Sequence, residues 1–286
     1  MRFAIFSKND VRGIALVDNA GGAKGLLETD TNYPGDLDAL VKKGDGALAD
    51  AAKVLSSAPA VALQEVRVLP PFSKSNKVLC VGLNYSDHTA ETHYKQPDHP
   101  TIFPRFGSTL IGHKAAIVRP KVSQALDYEG EVVAVIGRPG RYIAESNALD
   151  HVIGYTIFND GSVRDYQHRT PQWTLGKNFE NTGALGPLFV TADELPQGAK
   201  GLKLETRLNG EVVQSSNTDN LIFSVENLVA AVSEALALEA GDLIITGTPA
   251  GIGHSRKPPL YMKPGDVVEV EVEGIGTLEN HVVDEI

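Results

Sequence analysis

The sequence predicts an α+β protein in which strands dominate, with a small N-terminal α+β domain over residues 1–70 and a larger, mostly β domain over residues 71–286. Three observations carry this. Short apolar runs recur along the chain, each bounded by Gly, Asp or Pro, which is the pattern of strands. Late in the chain Val225, Leu228, Val229, Val232 and Leu236 recur at helical spacing behind Ser224 as N-cap, giving one helix with a single apolar stripe for packing on a sheet. No strand–helix–strand alternation is visible, which argues against a Rossmann fold.

Taken in order, residues 3–6 and 13–17 read as strands on either side of the polar turn Lys8-Asn9-Asp10. Residues 36–43 and 47–56 are rich in Ala, Leu and Lys and read as two short helices, with Gly44 and Gly46 between them. Residues 61–69 alternate loosely, and Pro70-Pro71 then marks the expected domain boundary. After the strand 77–82 comes NYSDHTAETHYKQPDHP (residues 84–100), which lacks apolar periodicity and reads as a long functional loop or lid. Further strands are expected at 130–137, 154–159, 188–191, 203–208, 242–247 and 267–273.

Composition narrows the function classes. The 286 residues are 42% hydrophobic and 22% charged, ordinary values for a globular protein with a sizeable core. A formal net charge of −10 disfavours nucleic acid and anionic membranes as partners, but not a small anionic substrate met by a local metal or a few basic groups. Cys80 is the only cysteine, so an intrachain disulfide and a Cys-rich zinc site are both excluded. With no signal-peptide core at the start and no membrane-length apolar run, a cytoplasmic protein is expected.

The chemistry concentrates in DYEGEVVAVIG (residues 127–137) and GYTIFNDGSVRDYQ (residues 154–167). Glu129 and Glu131 stand two residues apart at the start of a strand and so share one face. Two like charges beside a core raise each other's pKa unless a cation joins them, and carboxylate oxygens suit Mg2+, Mn2+ or Ca2+. Asp160, ending the next strand, is the third candidate ligand, and Asp127 shares the face of the glutamates as a competitor. Arg164, Gln167 and Lys177 follow closely and suit a carboxylate or enolate substrate. GTPAGIG (residues 247–253) lacks the Gly-Lys-Ser/Thr of a nucleotide loop; its backbone N–H groups and the Thr248 hydroxyl offer a place for a carboxylate instead. In the lid, His88 and Glu91 would share a face of a helical turn, the acid orienting the imidazole as a base, although His93 and His99 lie near enough that spacing alone does not choose among them.

Together these strings resemble the fumarylacetoacetate hydrolase family. They include GLNYSDHTAE, DYEGEVVAVIG, GYTIFNDGSVRDYQ, GKNF, GPLFVT, NGEVVQ, GDLIITGTPAGIG and KPGDVVEVEVEGIGTLEN, in order between about residues 71 and 280. The resemblance implies a mixed β-sandwich roll, a homodimer, and a divalent metal held by Glu129, Glu131 and Asp160, with Asp127 left off the metal. It implies His88 and Glu91 as the catalytic pair, Lys177 as the group that neutralises an enolate, and Arg164, Gln167 and Thr248 as substrate-binding. Two departures are visible. Arg105 stands where many relatives have lysine, in a place expected to bear on the far end of the substrate. Val81 stands where larger members add an aspartate ligand.

The activity this implies is metal-dependent hydrolysis of a C–C bond in a β-diketo acid of acylpyruvate or fumarylpyruvate type, yielding a carboxylic acid and a pyruvate-like product. The alternative is tautomerisation, isomerisation or decarboxylation of an oxaloacetate-like or dienoate keto acid, because enolate stabilisation serves each. A non-catalytic keto-acid binder would have no need of His88 and Glu91 beside the ligands. Arg105 and RTPQW (residues 169–173), with the lid, are the expected specificity wall.

Overall fold

The larger of two principal sheets runs from edge to edge through Ala23–Leu27, Val11–Val17, Arg2–Lys8, Gly183–Thr191, Val152–Asp160, Gly130–Ile136, Leu243–Ile245, Val78–Gly82 and Thr101–Pro104. This is a computed structural model, and residues 1–87 and 98–286 are described; the expected pair His88 and Glu91 lies outside the described residues. Most neighbours are antiparallel, but Leu243–Ile245 runs parallel to Val78–Gly82, so the sheet is mixed. Arg2–Lys8 pairs with Gly183–Thr191, and the N-terminal strands thereby extend the same sheet. The second sheet has five strands: Glu211–Asn217, Lys203–Leu208, Val267–Val272, Gly276–Asp284 and Ile117–Arg119.

Gly130–Ile136 and Val152–Asp160 are buried along their whole length. Their near-continuous apolar sequence follows from this, since a strand covered on both faces has no solvent side on which to place polar residues. Val132, Ala134 and Ile136 join Leu204, Val268, Val270 and Leu278 of the second sheet in one core, the interior of a sandwich. Val133 and Val135 point the other way, into a core shared with Leu37, Leu40, Val41 and Leu48. Those four belong to the helices Leu37–Lys43 and Asp45–Ser56, the first capped by the Asp36 carboxylate, which accepts from the Ala39 N–H at 2.9 Å.

The late helix spans Val225–Ala235 and buries Val225, Leu228, Val229 and Val232, with the Ser224 hydroxyl accepting from the Asn227 N–H at 3.4 Å. Leu236, expected in the stripe, instead sits at the C-cap and is 40% exposed, because the backbone has left the helix there. Residues 61–69 form a strand only over Arg67–Leu69. The strands Ala23–Leu27, Glu211–Asn217 and Gly276–Asp284 had no counterpart in the sequence reading. Their sequences carry Lys, Glu, Ser, Asn and Thr on exposed or partly exposed positions, so the apolar alternation is diluted.

Candidate active site

Strand register builds the acidic centre. In the antiparallel pair, Glu131 faces Phe158 and Gly130 faces Asn159, and the Asp160 N–H donates to the Glu129 carbonyl at 2.8 Å. Side chains alternate along a strand, so Glu129 and Glu131 share parity with Val133 and Val135, as Asp160 does with Phe158. All three acids therefore emerge on the face away from the sandwich core. Their carboxylate oxygens lie within 4.8 Å of one another. Glu129, Glu131 and Asp160 are 5%, 2% and 0% exposed.

Buried cations answer most of this charge. The Lys177 ammonium donates to Glu129 Oε2 at 2.6 Å and to Asp160 Oδ2 at 2.7 Å. Arg164 places Nη1 2.7 Å from Glu129 Oε1 and Nε 2.8 Å from Asp127 Oδ2. Arg105 donates through Nη1 to Asp160 Oδ1 and through Nη2 to Thr182 Oγ1, the latter at 2.8 Å. Burial opposes the charge on Lys177, but Asp160 and Glu129 outweigh it and raise its pKa. Arg164 is held charged in the same way, burial being outweighed by Glu129 and Asp127.

Glu131 is the exception. Its hydrogen bond among the described residues is from the N–H of Gly247, which donates to Oε2. Gly247 has φ +103°, a conformation that side chains rarely adopt, and a Cβ there would meet Asn84. Burial, then Asp160 and Glu129, push the Glu131 carboxyl well above its usual range. Among the described residues, four buried carboxylates (Asp127, Glu129, Glu131, Asp160) face three buried cations (Arg105, Arg164, Lys177), and the carboxylate in excess has no cation bonded to it. Hard oxygen donors that converge and lack one compensating charge fit a divalent cation; oxygens on one ion at about 2.0–2.5 Å lie no more than roughly 4–5 Å apart.

The structure shows what three of these groups bond to. Asp127 is fully buried and accepts from Arg164 Nε, from the Gly253 N–H at 2.8 Å and from the His254 N–H at 2.9 Å, so its oxygens are occupied away from the triad. The glycine-rich loop does hold carboxylates, but they are the protein's own, Glu131 through Gly247 and Asp127 through Gly253. Arg105 was expected at the substrate's far end; instead it is 2% exposed and braces Asp160 from behind, because that carboxylate needs a second cation once Lys177 is shared.

A cavity of about 480 Å³ opens beside the triad. Glu129, Glu131, Arg164, Gln167, Lys177 and Thr248 all line it, while Asp160 does not reach the lining and joins them through the acidic cluster. Phe103, Trp173 and Ile252 supply apolar wall. Phe103 and Trp173 meet edge to face with centroids 5.5 Å apart, and Trp173 lies so close over Gly82 that a Cβ there would come within 2.2 Å of its ring. Trp173 is the part of RTPQW that reaches this cavity; residues 169–173 as a whole line a neighbouring surface cleft. Sequence reasoning missed His168 and His254, which also line the main cavity, and the one available signal was their position directly after the RDYQ and GIG motifs.

Gln214, in NGEVVQ, was also given no role and proves to be a brace. It is 1% exposed; its Oε1 accepts from the Gly130 N–H at 3.0 Å, between Glu129 and Glu131, and its Nε2 donates to Thr248 Oγ1 at 2.8 Å and to the Pro249 carbonyl at 2.9 Å. With its acceptor role filled by Gln214, the Thr248 hydroxyl keeps its own proton for the cavity. Gln214→Leu is expected to weaken divalent-metal affinity by about 10–100-fold, the usual effect of losing a partner that orients ligands. A metal titration checks this, and an unchanged affinity would show that the strands alone set the triad.

Comparison with known proteins places this geometry. The family model described as fumarylacetoacetate (FAA) hydrolase C-terminal matches residues 77–283. The oxaloacetate tautomerase Fahd2a, mitochondrial, of Rattus norvegicus is 40% identical over 265 residues, covering 92% of this chain and 84% of the relative. Among solved structures, a fumarylacetoacetate hydrolase from psychrophilic Exiguobacterium antarcticum superposes with TM-score 0.86 at 36% identity, covering all of both chains. A 5-carboxymethyl-2-hydroxymuconate delta-isomerase from Mycobacterium smegmatis gives 0.78 at 30%, again over the whole of both. Among the described residues no helix is long and apolar enough to cross a membrane. The mostly β mixed sheets, the buried acidic triad and these matches together show that the chain belongs to the fumarylacetoacetate hydrolase family.

Proposed function

We propose that the protein is a metal-dependent tautomerase or isomerase that interconverts enol and keto forms of an oxaloacetate-like or dienoate keto acid. The observation that carries this reading is the pair of buried cations, Arg164 and Lys177, lining one cavity beside the acidic triad. Such an arrangement stabilises an enolate, which is the species common to both directions of a tautomerisation. Support comes from relatives whose names state oxaloacetate tautomerase and a muconate isomerase. This inverts the order of the two activities expected from the sequence, where hydrolysis came first.

Glu129, Glu131 and Asp160 would hold Mg2+ or Mn2+, with Ca2+ a further candidate, and the bound ion supplies Lewis-acid polarisation of the substrate's keto oxygen. The remaining work falls to side chains. Arg164 is fixed through Nε and Nη1, whereas its Nη2 has no hydrogen-bond partner among the described residues and is the donor assigned to the substrate carboxylate. Gln167 orients that guanidinium by accepting from Nη1 at 2.8 Å. Lys177 offers a fixed positive charge to the developing enolate oxygen, and Thr248 offers a hydroxyl. His88 with Glu91 is the proposed base that takes the C3 proton as the enolate forms and returns one as the ketone re-forms. Phe103, Trp173 and Ile252 keep bulk water from that carbanion. A homodimer is the expected assembly and the cytoplasm the expected compartment.

Hydrolysis of a β-diketo acid is the second reading, favoured by the similarity to the Exiguobacterium hydrolase. Following the decay of enol absorbance for oxaloacetate and hydroxymuconate-type acids, with added magnesium or manganese, tests the first reading. Acceleration that chelator removes and metal restores is expected; none on any member of the panel would defeat it. Label from ¹⁸O water appearing in a new carboxylate would assign the hydrolase instead.

A further inference from the structure

At the mouth of the catalytic cavity the charge pattern reverses. On its floor, Arg164 and Lys177 are committed to Asp127, Glu129 and Asp160. At the rim, His168, His254, Ser255 and Lys257 line the same cavity. Among the described residues none of these four has a carboxylate hydrogen-bonded or ion-paired to its side chain. In a chain of net charge −10, donors gathered on one cavity with no carboxylate bonded to their side chains need an explanation.

Their arrangement is built rather than incidental. The His168 and His254 rings lie with centroids 5.2 Å apart, tilted by 30°. His254 Nδ1 is 2.7 Å from the Tyr261 hydroxyl, which sets the ring and leaves Nε2 as its open nitrogen, and His168 makes no side-chain hydrogen bond among the described residues. The His254 N–H donates to the same Asp127 oxygen that receives Arg164 Nε. Asp127 therefore ties the rim to the cation on the floor, holding two anion-binding positions in one frame. Burial and the nearby Arg164 lower the pKa of both imidazoles, so near neutral pH each ring presents an N–H without adding repulsion to Lys257.

We propose that His168 and His254, with Ser255 and Lys257, form a subsite for the second, distal carboxylate of the substrate, making this protein selective for 2-keto diacids over 2-keto monoacids. The floor takes the 2-keto acid end and the rim takes the other end. This rests on the reading of the site as one that binds enolisable keto acids. A carboxylate held by one or two such donors gains about ten-fold in affinity for each bond.

The test uses calorimetry on the full-length, magnesium-loaded protein with two ligands of similar size, the non-enolisable diacid 3,3-difluoro-oxaloacetate and the monoacid 2-oxobutyrate. Wild type is expected to bind the diacid at least ten-fold more tightly. H168L/H254L should erase that preference with little change for 2-oxobutyrate, while H168Q/H254Q, which keeps donors at both positions, should retain part of it. Both rings are exposed at the rim, so these variants leave the core intact, and equal melting temperatures verify that. A preference that survives H168L/H254L, or a parallel fall for both ligands, overturns the subsite. The proposed activity is judged separately by the enol assay: turnover without diacid preference removes the subsite alone, and diacid preference without turnover removes the tautomerase reading alone.

Discussion

Glu131→Gln is expected to abolish metal-dependent turnover while making the metal-free protein more stable. The two effects have one origin. Glu131 is 2% exposed, beside two other carboxylates, and accepts a hydrogen bond from the Gly247 N–H. A glutamine of the same shape still accepts that hydrogen bond but no longer brings an uncompensated charge into the core. Relief of about 1–2 kcal/mol would raise the melting temperature of the metal-free form by roughly 2–4 °C or more in a chain of this size. Loss of a ligand carboxylate should weaken metal binding beyond the roughly 10–100-fold typical of a partner outside the ligand set. Melting curves with and without magnesium read both at once. Wild type should be stabilised by the ion, by about 2.7 kcal/mol at a hundred times its dissociation constant, and the variant should not. A variant that is less stable without metal, or that still responds to magnesium, would remove the metal from this site.

Lys177→Met should show the opposite pattern of stability. Lys177 is 1% exposed and its ammonium joins Glu129 to Asp160. Removing it leaves Glu129 Oε2 and Asp160 Oδ2 without their shared cation, although Arg164 and Arg105 still hold the other two oxygens, and breaking a buried pair from one side costs about 3–5 kcal/mol. Added divalent metal should recover much of that loss, because it restores positive charge among the same oxygens. Activity should not recover with it. Loss of one preorganised donor from a developing oxyanion costs about 10²–10³ in kcat, so metal-saturated Lys177→Met should fold and bind substrate yet turn it over at least about a hundred-fold more slowly. Full activity in the metal-saturated variant would reduce Lys177 to a structural counter-ion.

In both experiments added magnesium is the probe. Glu131→Gln separates a stable fold from metal binding, and Lys177→Met separates metal binding from turnover. Each isolates a contribution that the wild-type protein combines.

How much of this was legible in the letters can be followed residue by residue. Glu129, Glu131 and Asp160 were identifiable because strand parity is a local property: residues two apart share a face whatever the rest of the chain does. The long helix with its Ser224 cap and the buried strand 130–136 were legible for the same reason, since each depends on spacing within about a dozen residues. Polar strands such as Glu211–Asn217 were not, because their place in a sheet comes from partners rather than from their own pattern.

The partners of each charge lay wholly beyond local reading. Asp127 shares the strand parity of Glu129 and Glu131; the family resemblance left it off the metal, and the physical reason is the approach of Arg164, Gly253 and His254, 37 to 127 residues away in sequence, which occupy its oxygens. Arg105 looked like a substrate contact and became the brace of Asp160 across 55 residues. Gln214 carried no visible role until the second sheet brought it against Gly130 and Thr248. His168 and His254 are 86 residues apart in number, and nothing in either neighbourhood indicates that their rings meet. Sequence alone picked out the three clustered acids and the strand face that presents Glu129 and Glu131, because side-chain identity and alternation are local. The tertiary structure alone decided which charge is neutralised by which partner and which is left for an ion or a substrate, because Coulomb and hydrogen-bond energies depend on distance in space and on the exclusion of water.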